Sequence, residues 1–154
     1  MSFNYCFFFG QLTLHCCSVV FTAHCALYRT SAKYVTRLNT DGCIPLGLAQ
    51  LNRKIFIVCV GRPDIIVFDA YPPYRRLADI AMGRMGYPWD IAACTVDNRI
   101  YVSDVTCRCL WMCSWRAPGA YAVTNLIDGI HGDATVSAIP DGNILLLEGM
   151  ALNI

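Results

Sequence analysis

The feature that most constrains this 154-residue chain is a unit that recurs about every 45 residues. Three segments align on an apolar triplet behind a polar turn. Asn52-Arg53-Lys54 precedes Ile55-Phe56-Ile57, Asp97-Asn98-Arg99 precedes Ile100-Tyr101-Val102, and Asp141-Gly142-Asn143 precedes Ile144-Leu145-Leu146. The triplets are offset by 45 and then 44 residues. A second marker keeps the same order. Tyr34-Val35-Thr36-Arg37-Leu38 ends 17 residues before Ile55, and Tyr121-Ala122-Val123-Thr124-Asn125-Leu126 ends 18 before Ile144. The middle copy, Tyr74-Arg75-Arg76-Leu77, ends 23 before Ile100, with the extra length in the Gly/Pro-rich run 82–88. A period of this size marks an architecture built from stacked repeats.

Alternation and turn residues give the content of each unit. Strands are expected at 46–51, 54–59, 64–69 and 74–80, then at 90–95, 99–104, 108–113 and 120–127. A third unit begins with 135–139 and 143–148, and one outer strand, 34–38, precedes the first. Four short antiparallel strands per unit form the blade of a β-propeller. The expected fold is therefore all-β: a partial β-propeller of four-stranded antiparallel blades, with about two full blades and partial ones. Closed propellers have about 4–8 blades. The missing blades are thus expected from a longer chain or from self-association through open strand edges.

Pro88-Trp89-Asp90-Ile91-Ala92, then Asp97 to Asp104 (DNRIYVSD), then Cys109-Leu110-Trp111 resembles the NHL-type blade. Tyr121-Ala122-Val123-Thr124-Asn125 resembles the related YVTN repeat. The resemblance is specific over 88–112, looser over 44–80 and 134–148, and does not reach 1–33. The position of Asp104 is taken by Cys59 in one copy and Glu148 in another. The resemblance implies a rigid, non-catalytic scaffold for a protein partner, with RNA as a less supported ligand.

Composition divides the chain at residue 33. The first 28 residues carry no charged side chain, and 5–28 is long enough to span a bilayer. As a signal peptide it lacks a basic n-region and a small-residue cleavage site. As a membrane anchor it would bury Gln11, His15 and His24 at a cost. As buried strands, or as sequence foreign to the fold, it needs neither. The expected organisation is an uncharged apolar segment, 1–33, before a propeller fragment, 34–154. Twelve basic residues against eleven acidic ones give a net charge of +1, which builds no field to steer nucleic acid. Ten cysteines admit either a disulfide framework or small buried apolar side chains.

Blade topology places the loops around 61–63, 82–89, 105–106 and 128–133 on one face. Arg62, Arg84, Tyr87 and Trp89 are the candidate partner-binding residues there, because Arg and aromatic side chains anchor interfaces; alternatively Tyr87 and Trp89 simply pack between blades. The same four residues offer only a thin stacking surface for RNA. Asp104, His131 and Asp133 could line that face and hold a metal in the central channel of a propeller hydrolase or lyase. This is the enzymatic alternative. Cys107, Cys109 and Cys113 lack the C-x₂-C spacing of zinc sites, and alternation assigns them to packing. No nucleotide, zinc-protease or serine-hydrolase motif occurs, and no cofactor is expected.

Overall fold

The computed structural model describes residues 14–17, 24–29, 34–117, 120–130, 134–139 and 141–147. These residues form strands and turns without a helix. Among them, no helix is long and apolar enough to cross a membrane.

The strands fall into four antiparallel sheets in chain order. The first holds β1 (Leu14–Cys17), β2 (His24–Arg29) and β3 (Tyr34–Asn39). The second is a full blade of β4 (Pro45–Leu51), β5 (Lys54–Cys59), β6 (Asp64–Asp69) and β7 (Ile80–Ala81). The third repeats it with β8 (Pro88–Cys94), β9 (Arg99–Asp104), β10 (Cys109–Ala117) and β11 (Ala120–Asp128). The last pairs β12 (Thr135–Ala138) with β13 (Ile144–Leu147). Among the described residues the architecture is that of a partial β-propeller: two four-stranded blades flanked by a three-stranded and a two-stranded sheet.

The two complete blades copy each other below the level of strand assignment. β4 and β8 share one alternation of burial, and so do β5 and β9. Both inner strands open with a proline followed by a bulge. Pro45 pairs with Cys59 and Gly47 with Val58; Pro88 pairs with Asp104 and Asp90 with Ser103. Leu46 and Trp89 are the extra residues, and a bulge re-aims the side chain it inserts. The tight turn into β5 places Asn52 and Arg53 at φ 49° and 62°. These are the left-handed values that a two-residue hairpin requires. Asn98 and Gly142 take positive φ at the matching turns.

Each central strand feeds two apolar layers, because successive side chains point to opposite faces. Ile55 and Ile57 of β5 enter the layer shared with Cys25, Leu27 and Leu38, whereas Phe56 and Val58 enter the layer shared with β8–β10. In β9, Ile100 and Val102 face back to the second sheet while Tyr101 faces forward to Ile130 and Val136. Burying each such side chain contributes about 1.5–3 kcal/mol. In β13, Ile144 and Leu146 pack backwards, and Leu145 and Leu147 are 47% and 59% exposed.

Two strands depart from expectation. The outer strand expected at 74–80 keeps only Ile80–Ala81 as regular strand. Arg76 opposes Phe68 and Ile80 opposes Ile65, so four steps on one side match three on the other. This bulge breaks the ladder. β10 runs on to Ala117 instead of stopping at 113, because Trp115 packs edge-on against Phe56 and Tyr121 at 5.5 and 5.3 Å. Lys54 donates to the Tyr121 hydroxyl at 3.3 Å beside the same rings.

Candidate functional site

The connections between blades share a face with the turns that leave β5 and β9, and backbone bonds join them. Val60 donates to the Ile44 carbonyl at 2.9 Å, and Val105 donates to Tyr87 at 3.0 Å. Met82 donates to Pro63 at 3.3 Å, and Ile130 to Arg108 at 2.9 Å. The repeat thus places the incoming connection, and side chains then hold it differently in each blade.

The connection 82–87 is the more elaborate. Met82 and Met85 are buried in the layer between the two full blades, which pins it from below. Gly83 takes φ 69°, and the Arg84 amide donates to the Met82 carbonyl at 2.9 Å. Arg84 is left exposed at the apex. The far end is held by Asp104, which is 2% exposed. Its carboxylate accepts from the amides of Gly86 at 2.7 Å and of Tyr87 and Cys107 at 3.0 Å each, and from the Trp111 indole at 3.2 Å. Burial drives the Asp104 pKa up; the hydrogen bonds from Cys107, Gly86, Tyr87 and Trp111 outweigh it and leave it below the ordinary carboxylate value.

In the enzymatic alternative Asp104 faces a channel metal together with His131 and Asp133. Its two oxygens accept from three backbone amides and the Trp111 indole, bonds that tie the connection 82–87 to β9 and β10. His131 and Asp133 lie outside the described residues.

The first connection, 40–44, has Cys59 where the other has Asp104. Burial pushes that thiol up to about 12, and it offers the connection no carboxylate. Here the Thr40 hydroxyl donates to the Cys43 carbonyl at 2.7 Å, and an ionic group does the rest. Arg62 reaches Asp79 at 2.7 Å and Asp41 at 3.4 Å; Arg76 reaches Asp79 at 2.7 Å and also pairs with Asp41. The hydrogen bond from Arg76 is the main reason that Asp41 stays more acidic than usual.

The structure therefore separates the candidate binding residues. Arg84, Tyr87 and Trp89 belong to one run between blades. Arg84 is exposed, while Tyr87 and Trp89 are half-buried. Arg62 lies on the turn between β5 and β6, half-buried and committed to two carboxylates. Of the three C-terminal cysteines, Cys113 lies in an inter-blade layer, as alternation required. Cys107 sits in the turn before β10, and its thiol donates to the Arg84 carbonyl at 3.0 Å.

Asp90 was not singled out as a functional position. It is 6% exposed and joins consecutive inner strands, accepting from Ile91 at 2.8 Å and from Val136 of β12 at 3.1 Å. Burial raises its pKa against these two bonds. The matching position in β4 is Gly47, where a Cβ would stand 3.0 Å from the Ile91 methyl and 3.1 Å from its amide nitrogen. On the opposite face, Arg53 stacks over Tyr71 at 4.8 Å beside a shallow hollow lined by Lys54, Asp69 and Pro72.

No protein-family model matches the chain, and no curated protein matches it. Solved structures do. A chain of the nidogen/laminin complex superposes with a TM-score of 0.67 at 15% identity, covering 81% of this chain and 49% of that one. The Cps50 (Swd1) β-propeller domain of Myceliophteria thermophila gives 0.68 at 12% identity, covering 93% and 48%. A chain of the mitotic checkpoint complex gives 0.67 at 9% identity, covering 90% and 43%. At these identities the likeness shows the fold alone. The chain spans a little under half the length of each.

Proposed function

We propose that the chain is a binding scaffold of NHL-like propeller type, presenting the face around Arg84, Tyr87 and Trp89 to a protein partner. The observation that carries this reading is the connection 82–87. Two buried methionines and a four-bonded carboxylate fix its ends, while Arg84 stands exposed between them. A loop held this firmly presents its apex with little conformational entropy left to lose on binding. Two of the similar solved structures are complexes, nidogen/laminin and the mitotic checkpoint complex, in keeping with a role in assembly. Arg62 contributes to this face through the ionic group that braces the neighbouring connection.

The test is capture of partners by the immobilised chain. Arg84→Ala combined with Trp89→Ala should reduce capture at least about tenfold, the effect of losing one interface anchor. Circular dichroism and a cooperative melt must show the double variant folded. Undiminished capture by that folded variant would refute the assignment.

A further inference from the structure

We propose that Asp104, Cys107 and Cys109 form a binding site for a zinc-like divalent cation at the turn between β9 and β10. Their ligand atoms, one carboxylate oxygen and two sulfurs, all lie within 4.8 Å of one another. The register of the sheet puts them there. Cys109 is the direct cross-strand partner of Asp104, and Cys107 occupies the turn between, where Arg108 takes φ 53°. The Cys107 thiol also donates to the Arg84 carbonyl at 3.0 Å, which holds its sulfur beside the connection 82–87. The Arg108 guanidinium leads away, its Nε donating to the Ile130 carbonyl at 3.5 Å.

Two thiolates with a carboxylate suit a borderline-soft cation such as Zn²⁺ better than Mg²⁺ or Ca²⁺, which take oxygen ligands. On binding, both thiol protons leave to solvent. Three negative ligands against a 2+ ion leave one net negative charge. Asp104 keeps its position in the cradle, and one of its four donors yields. The Trp111 indole, at 3.2 Å, makes the longest bond. This site differs from a central-channel metal: it uses the sulfur pair of the turn and neither His131 nor Asp133. A cation here would tie β9, β10 and the Arg84 connection together.

The experiment uses the whole chain, reduced with a phosphine, stripped of metal and titrated with Co²⁺. Saturating thiolate-to-cobalt absorption at one equivalent, displaced by Zn²⁺, is the expected result. Cys107→Ser should weaken binding at least about tenfold, as even outer-shell substitutions at metal sites do. A serine hydroxyl can still donate to the Arg84 carbonyl, so the metal-free melt should shift little. Cys109→Ala should behave alike; if it fails to fold, Cys107→Ser decides alone. Cys113→Ser, which removes a sulfur from the apolar layer, should leave the cobalt signal in place. Absence of saturable absorption, or equal binding by Cys107→Ser and the parent chain, would overturn the site.

Discussion

Two buried aspartates separated by fourteen residues are tuned in opposite directions, and the reason is the number of donors each receives. Asp104 collects three backbone amides and an indole, while Asp90 collects two amides from adjacent inner strands. Ionised Asp104 is favoured by the fold. Its contribution is complete above the unfolded value of about 3.9 and is lost as pH falls through the lower folded value. Ionised Asp90 is disfavoured, so its cost develops as pH rises from about 3.9 through the raised folded value. Asp104→Asn should therefore be most destabilising near neutrality, by about 2–3 kcal/mol for buried donors left unpaired, with the deficit shrinking towards pH 3. The deficit of Asp90→Asn should grow towards pH 3. Urea unfolding across that range checks both, and parallel curves would contradict the assignment. Neither role was legible in the sequence. Two of the four donors to Asp104 lie 17 and 18 residues upstream, and Val136 lies 46 beyond Asp90. The ion pairs that occupy Arg62 reach Asp41 and Asp79 across 21 and 17 residues.

At the level of elements, the repeat was readable wherever alternation and turn residues agreed. β5, β6 and β9 run over the expected residues, each bounded by Asn, Gly or Asp turns. β7 and β10 deviate where a bulge and an aromatic contact decide the ladder, and neither leaves a local signal. The proline bulges at Pro45 and Pro88 are likewise invisible until the strands pair. Gly47 gives a clean probe of this level. Gly47→Ala would press a methyl into Ile91 and force the inner strands of the two blades apart, costing about 1–3 kcal/mol as overpacking does. The expected outcome is a lower urea midpoint with an unchanged m value. An unaltered midpoint would mean that the two strands can separate freely.

For the whole molecule, the face of β13 left open is the most testable feature. Leu145 and Leu147 occupy the positions that Phe56 and Val58 fill in β5, where exposure is 0%. Exposed apolar side chains of this size favour association. Leu145→Lys with Leu147→Lys should shift the chain towards monomer in light scattering at raised concentration. Its stability should change by less than about 0.5 kcal/mol, the usual range for surface substitutions. Equal association by the double variant would place the sticky surface elsewhere, with exposed Leu126 and Ile127 of β11 the next to examine.

The sharing of each layer between successive sheets also sets a clock. Phe56 is covered in part by Trp115, which the ribosome adds 59 residues later. At about 5–20 residues per second, the forward face of the second sheet waits roughly 3–12 s for its cover. During that interval a nascent blade exposes the aliphatic row that chaperones recognise, so synthesis rate and chaperone supply bear on the yield of folded protein.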